Sequence, residues 1–207
     1  MKISPSIALS AALCLSTPTF GRAQATPAQP APAQAPPRTT FAPSGRALTE
    51  IDVRGGGMPA GKISIDYGQP HASGRVVFGT LVPLDSVWRA GANRATQLTT
   101  DVAITIGGTR LAPGSYSLAL SVSKTEPKLV INSRSRQWGI PYNPAGEVAR
   151  VPMRVRTLTE PVESFTIALV PNAQRPGMTA PPNPGTGVLT MTWGTMQFSV
   201  DFAAQQP

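Results

Sequence analysis

The chain has 207 residues, with 18 Lys and Arg against 10 Asp and Glu, one cysteine and one histidine. A lone Cys14 excludes a disulfide framework and a thiolate metal site, and a lone His71 excludes a histidine-rich zinc centre, so neither a metal nor another cofactor is expected. The formal charge of +8 raises nucleic acid as a partner, but the basic residues are scattered, with only Arg134/Arg136 and Arg150/Arg154/Arg156 in small groups. No nucleic-acid surface is expected from so dispersed a pattern.

Residues 1–25 have the form of a secretory signal: Lys2 at the start, an apolar run from Ile7 to Leu15, and Ala23-Gln24-Ala25 as a small-residue cleavage site. The mature chain is then expected to begin at Thr26 and to be secreted or periplasmic. Cys14 leaves with the signal, and Leu13 before it does not suit lipoprotein processing. Removing Lys2 and Arg22 leaves 16 basic against 10 acidic residues, a net +6. No apolar run approaches the roughly 20 residues a transmembrane helix needs, so no transmembrane segment is expected.

From residue 26 to residue 46 the chain is a Pro/Ala/Gln-rich arm, with six prolines by Pro43 and almost nothing to bury, and it is expected to be disordered. A single domain over residues 47–203 follows. Its pattern is short alternating apolar runs separated by Gly, Pro and Asn, which is the signature of strands. Ile63/Ile65/Tyr67, Val102/Ile104/Ile106 and Tyr116/Leu118/Leu120/Val122 each give one buried face. Further runs are Lys128–Asn132, Val151/Met153/Val155, Phe165/Ile167/Leu169, Leu189/Met191/Trp193 and Met196/Phe198/Val200/Phe202.

Turn chemistry agrees. Arg54-Gly55-Gly56-Gly57 suits a strand-to-strand turn, Gly107-Gly108 a tight hairpin, and Trp193-Gly194-Thr195 the corner of a final hairpin. The pattern predicts an all-β fold, an antiparallel β-sandwich with a β-barrel as the alternative. A Pro/Gly-rich loop over residues 171–187, with five prolines, breaks the regular spacing. Loops of that length are uncommon in compact domains and are either functional or disordered.

The segment from Gly74 to Thr96 is the most unusual in composition, joining Arg75, Trp88, Arg89 and Asn93 to three glycines. Pro83 and Gly91 bend the chain, so Trp88 and its neighbour Arg89 can converge on one side instead of pointing to opposite faces. An indole, a guanidinium fork and an amide suit a sugar ring, a carboxylate or a peptide end. The same set also suits a structural role: Trp88 as core, Arg89 bonding loop carbonyls and Asn93 holding a turn. His71 lies in a loop just after the Tyr67 strand and is a candidate ligand contact or general base. Asp66 and Asp85 flank the region, but there is no Gly-x-Ser-x-Gly elbow, no phosphate-binding loop and no paired-carboxylate motif.

Val87-Trp88-Arg89, Gly91-Ala92-Asn93 and Ala95-Thr96 resemble the domain of unknown function 2911, a family of secreted bacterial proteins. Ile65-Asp66-Tyr67, Gly74-Arg75, Phe78-Gly79, Leu81-Val82-Pro83, Ile106-Gly107-Gly108, Gln137-Trp138-Gly139 and Pro161-Val162-Glu163-x-Phe165 extend the resemblance. The 171–187 loop departs from it and looks like an insertion. The resemblance implies export and brings no settled chemistry, so no residue role is carried over.

The first functional reading is therefore a non-catalytic ligand-binding or envelope-associated module. It would hold a small molecule, glycan or peptide through His71, Arg75, Trp88, Arg89 and Asn93. A hydrolase or isomerase using His71 and nearby carboxylates is the alternative, and a structural partner docking through a sheet edge is the third.

Overall fold

The computed structural model describes residues 44–55, 58–135, 142–172 and 185–205. The expected signal, the arm up to Pro43, Gln137-Trp138-Gly139 and most of the 171–187 loop lie outside the described residues. Two antiparallel sheets face each other. In the larger, β1 (Gly45–Gly55) pairs with β2 (Met58–Gln69), and the order continues through β4 (Thr96–Thr100), β7 (Gly114–Val122), β8 (Lys128–Asn132) and β9 (Glu147–Pro152). A short strand, β3 (Ser86–Trp88), pairs with the second half of β7 where β4 has already ended. The smaller sheet has the order β10 (Arg154–Pro171), β11 (Thr186–Ala204), β5 (Ile104–Ile106), β6 (Thr109–Leu111). Neither sheet closes on itself, so the architecture is the sandwich and not the barrel. Among the described residues no helix is long and apolar enough to cross a membrane.

Alternation builds the core. Ile63, Ile65 and Tyr67 of β2, Leu98 of β4, Leu118, Leu120 and Val122 of β7, and Leu129 and Ile131 of β8 are buried from the larger sheet. Phe165, Ile167 and Leu169 of β10 and Leu189, Met191, Trp193, Phe198, Val200 and Phe202 of β11 are buried from the smaller one. Each large apolar side chain removed from water contributes roughly 1.5–3 kcal/mol, which offsets the entropy of ordering a chain stapled by nothing covalent. Gly107 and Gly108, with φ of 50° and 88°, form the tight turn between β5 and β6, where both central residues need positive φ.

Three boundaries differ from the sequence pattern. β1 begins at Gly45, inside the expected arm. Val151, Met153 and Val155 do not share one strand: Val151 pairs with Leu129 in the larger sheet, and Val155 pairs with Phe198 in the smaller. The chain crosses between sheets at Met153, whose N–H donates to the Pro127 carbonyl at 2.9 Å. Burial continues through the crossing, so alternation could not reveal it. Gly194 is not a hairpin corner either. It sits at φ 55° opposite Val162, at a register shift inside the continuous 19-residue β11. The extra residues of this bulge bend the ribbon without reversing it.

Candidate functional site

The sandwich delivers β2 and β10 side by side at one end, and the chain after β2 is fastened across both. Gln69 donates its Nε2 hydrogen to the Phe165 carbonyl at 3.1 Å. Phe165 N–H donates to Pro70 O at 2.9 Å, and Ala72 N–H to Glu163 O at 2.8 Å. His71 pairs with Ser164 across this bridge, its Nδ1 lying 2.8 Å from Ser164 Oγ. The chain then turns at Ser73 and Gly74, both at positive φ. It loops back on itself through Val82 N–H to Val77 O at 2.9 Å and Gly79 N–H to Val82 O at 2.8 Å.

Beneath this loop lies an aromatic cluster drawn from both sheets. Trp88 stacks on Trp193, with ring centroids 5.5 Å apart and planes 21° from parallel. Phe165 meets Trp88 edge-on at 4.9 Å, and Phe78 meets Phe198 edge-on at 5.2 Å. Such pairs contribute about 0.5–1.5 kcal/mol each beyond their buried area. Trp193 is buried and donates its indole N–H to Glu163 O at 3.0 Å. Trp88 is half-buried, and no hydrogen-bond partner for its indole N–H occurs among the described residues.

After Trp88 the chain is held against β2 by backbone contact. Ala92 N–H donates to Gly68 O at 3.2 Å. A Cβ at Gly68 would stand 2.0 Å from the Ala92 carbonyl oxygen, so only glycine allows the approach. Ala90 is fully buried at φ 48°, a left-handed conformation that costs a non-glycine residue roughly 1–2 kcal/mol. Thr96 Oγ1 holds it there by donating to Ala90 O at 2.6 Å. Backbone strain of this kind concentrates at binding and catalytic sites, where the surroundings over-determine the shape.

The loop, the aromatic cluster and the β2 terminus enclose an open cleft of about 320 Å³. His71, Arg75, Trp88 and Arg89 all line it, with Trp193, Leu81, Val82 and Ala92 as apolar wall and Ser44 and Ser73 beside them. Asn93 does not. It is exposed at φ 62°, a left-handed turn residue of the kind asparagine tolerates, and its amide has no protein partner among the described residues. Trp193, Leu81 and Ser44 were not singled out in the sequence. The sequence pattern puts Trp193 at the end of a strand run and at a hairpin corner, and an aromatic beside Gly194 is its one sign of a special place.

The electrostatics of the cleft are one-sided. Arg75 donates from Nε to Ala72 O at 2.8 Å and from Nη2 to His71 O at 3.1 Å. Arg89 donates from Nε to Gly91 O at 3.1 Å. Neither forms an ion pair among the described residues, so most of their five N–H donors remain unused. No Asp or Glu lines the cleft. Glu163 accepts the N–H of the lining residue Ser73 at 2.6 Å.

A catalytic triad from His71 with Asp66 or Asp85 is not assembled. Asp66 is paired with Arg46 on the adjacent strand at 2.7 Å, and Asp85 is an exposed turn residue at φ 55°. Among the described residues no cluster of three His, Cys, Asp or Glu side chains is suited to hold a metal ion.

The chain belongs to the DUF2911 family, described as "Protein of unknown function (DUF2911)", whose family model matches residues 54–202. That range takes in the whole segment from His71 to Thr96 and the β10–β11 ribbon up to Phe202. No curated protein and no solved structure is similar enough to add to this match.

Proposed function

We propose that this DUF2911 protein is an exported, non-catalytic binding module whose ligand occupies the cleft under the Gly74–Thr96 segment. One observation carries the reading: four of the five residues that stand out by composition, His71, Arg75, Trp88 and Arg89, converge on one open cleft. Its volume of about 320 Å³ falls at the small end of ligand sites, which run from roughly 300 to 1,000 Å³. Its lining is more polar than that of most small-molecule sites, which are predominantly apolar, and this suits a polar or charged ligand. The signal-like residues 1–25 support an exported, periplasmic or envelope-associated setting.

The test is a ligand screen of small molecules, glycans and short peptides read by tryptophan fluorescence and thermal shift. The reading expects binders that perturb Trp88 emission and are lost in Trp88→Ala. Binders that survive Trp88→Ala unchanged would put the site elsewhere. Export is checked by mass spectrometry of the secreted protein, where an N-terminus at Thr26 is expected.

A catalytic reading has one observation in its favour, the 2.8 Å contact between His71 and Ser164. A serine at hydrogen-bond distance from an imidazole is the start of a nucleophile–base pair. Yet Ser164 does not line the cleft, and no carboxylate orients the His71 ring among the described residues. Ester hydrolysis abolished by Ser164→Ala in a folded protein would establish this reading in place of the first.

A further inference from the structure

We infer that the ligand of this cleft carries an oxyanion, a carboxylate or a phosphate, held between Arg75 and Arg89, with an apolar or ring-shaped body against Trp88 and Leu81. The inference rests on the cleft being the binding site and adds the chemistry of what enters it.

Among the other described arginines, three are answered by carboxylates, Arg46 by Asp66, Arg150 by Glu147 and Arg154 by Asp201, each at 2.7 Å, and Arg54, Arg94, Arg110, Arg134 and Arg156 form no ion pair among the described residues. Arg75 and Arg89 are answered by backbone carbonyls instead. A carbonyl fixes the guanidinium without neutralising it. The ordering entropy of the side chain is thereby spent on folding, and the charge stays available to an incoming group. Guanidinium forks match the planar pair of oxygens on a carboxylate or the oxygens of a phosphate, and such charge-assisted bonds are about twice as strong as neutral ones.

Among the described residues no carboxylate pairs with either guanidinium. The cleft is lined by no acid, and the Glu163 carboxylate accepts the N–H of the lining residue Ser73 instead. Ser44 lines the cleft, and the sequence from Thr26 to Pro43 contains no Asp or Glu. His71, held through Nδ1 by Ser164, is a further polar residue of the lining. The apolar half is equally specific. Leu81, at 36% exposure, leaves hydrophobic surface in the same lining as Arg75 and Arg89, and the half-buried Trp88 is part of that lining too. A bare inorganic ion would leave that surface unused, whereas an organic anion covers both.

The probes are phenylacetate, phenyl phosphate and the neutral phenylacetamide, titrated into the full chain by calorimetry with tryptophan fluorescence as a second readout. At least one anion is expected to bind about tenfold or more tightly than the amide, and which one does so separates a carboxylate site from a phosphate site. Added salt should weaken the anion and leave the amide unchanged. Arg75→Gln and Arg89→Gln should each reduce the preference towards unity, while Arg75→Lys and Arg89→Lys retain part of it. Thermal melts establish that each variant is folded, and Arg75, being exposed, provides a variant with little folding risk. Equal binding of all three probes, or a preference that survives both Gln substitutions, overturns the inference and leaves the cleft as a site for neutral ligands. Absence of binding by every probe in both readouts overturns the inference, while the cleft reading stands or falls with the wider ligand screen.

Discussion

The segment from Pro70 to Ala95 and the β10–β11 ribbon pack against one another but are built from opposite materials. The ribbon is two strands of 18 and 19 residues joined by a backbone ladder, with Gly194 as the one positive-φ residue inside them. The loop segment has three residues of strand, β3, and places Ser73, Gly74, Gly79, Asp85, Ala90, Gly91 and Asn93 at positive φ. Its shape rests on a few side-chain-to-backbone bonds, on the aromatic cluster and on one close approach to β2 at Gly68. A ladder satisfies its backbone groups by itself, so its side chains are free to specialise in burial. An irregular loop must recruit side chains to satisfy its backbone, and the surplus donors of those side chains are what the cleft presents.

The largest expected effect in the loop follows from Gly68→Ala. The new methyl would meet three backbone atoms of Ala92 at 2.0–2.8 Å, and backbone cannot swing aside as a flexible side chain does. A loss of about 4 kcal/mol, or failure to fold, is expected in denaturant melts. Gly74→Ala is the control, since it has open space and only the backbone penalty at φ 72°, about 1 kcal/mol. Equal costs at the two positions would mean that the Gly68 contact does not govern the loop.

Next in size is Trp88→Ala, which removes a half-buried ring from contact with Trp193, Phe165 and Phe78. About 2–3 kcal/mol is expected, below the roughly 3–5 kcal/mol of a fully buried aromatic such as Phe165. A cost near zero would mark the indole as serving the ligand alone. Arg89→Ala should cost about 1 kcal/mol, the value of its one bond to Gly91 O in a partly buried setting. A loss beyond about 3 kcal/mol would show that Arg89 is a structural pin and would count against its having donors to spare.

The smallest effect belongs to the edge of the ribbon. Arg154 and Asp201 are bidentate, at 2.7 and 2.8 Å, but their side chains are 59% and 66% exposed. Arg154→Ala should therefore cost less than about 1 kcal/mol. The guanidinium holds the Asp201 carboxyl below its ordinary 3.8, and Arg150 likewise holds Glu147 below 4.5. A depressed folded-state pKa stabilises the native protein at pH above the unfolded value and loses that contribution as pH falls through the folded value. Acid melts begun near neutral pH should show this loss only below about pH 4.5, and Arg154→Ala should remove the Asp201 share. A difference between wild type and variant that persists unchanged at low pH would mean that Arg154 acts by packing.

The β class of the chain, the buried faces of β2, β5 and β7, the Gly107-Gly108 turn, the kinship with DUF2911 and the singular character of the Gly74–Thr96 segment were legible in the sequence. All are local: alternation reports which side of a strand is buried, and turn residues report φ. What the tertiary structure decided is non-local. It broke the Val151/Met153/Val155 run between two sheets, because both sheets bury the same face into the same core and alternation carries no label for the sheet. It carried β11 through Gly194, brought Trp193 onto Trp88 and set His71 against Ser164, 93 residues later in the chain. It turned Asn93 outward while drawing Arg75 and Arg89 to one cleft. Composition marks a residue as unusual, but the direction of its side chain is set by backbone bonds to strands far away in sequence. Here those are the bonds of Pro70 and Ala72 to β10 and of Ala92 to Gly68.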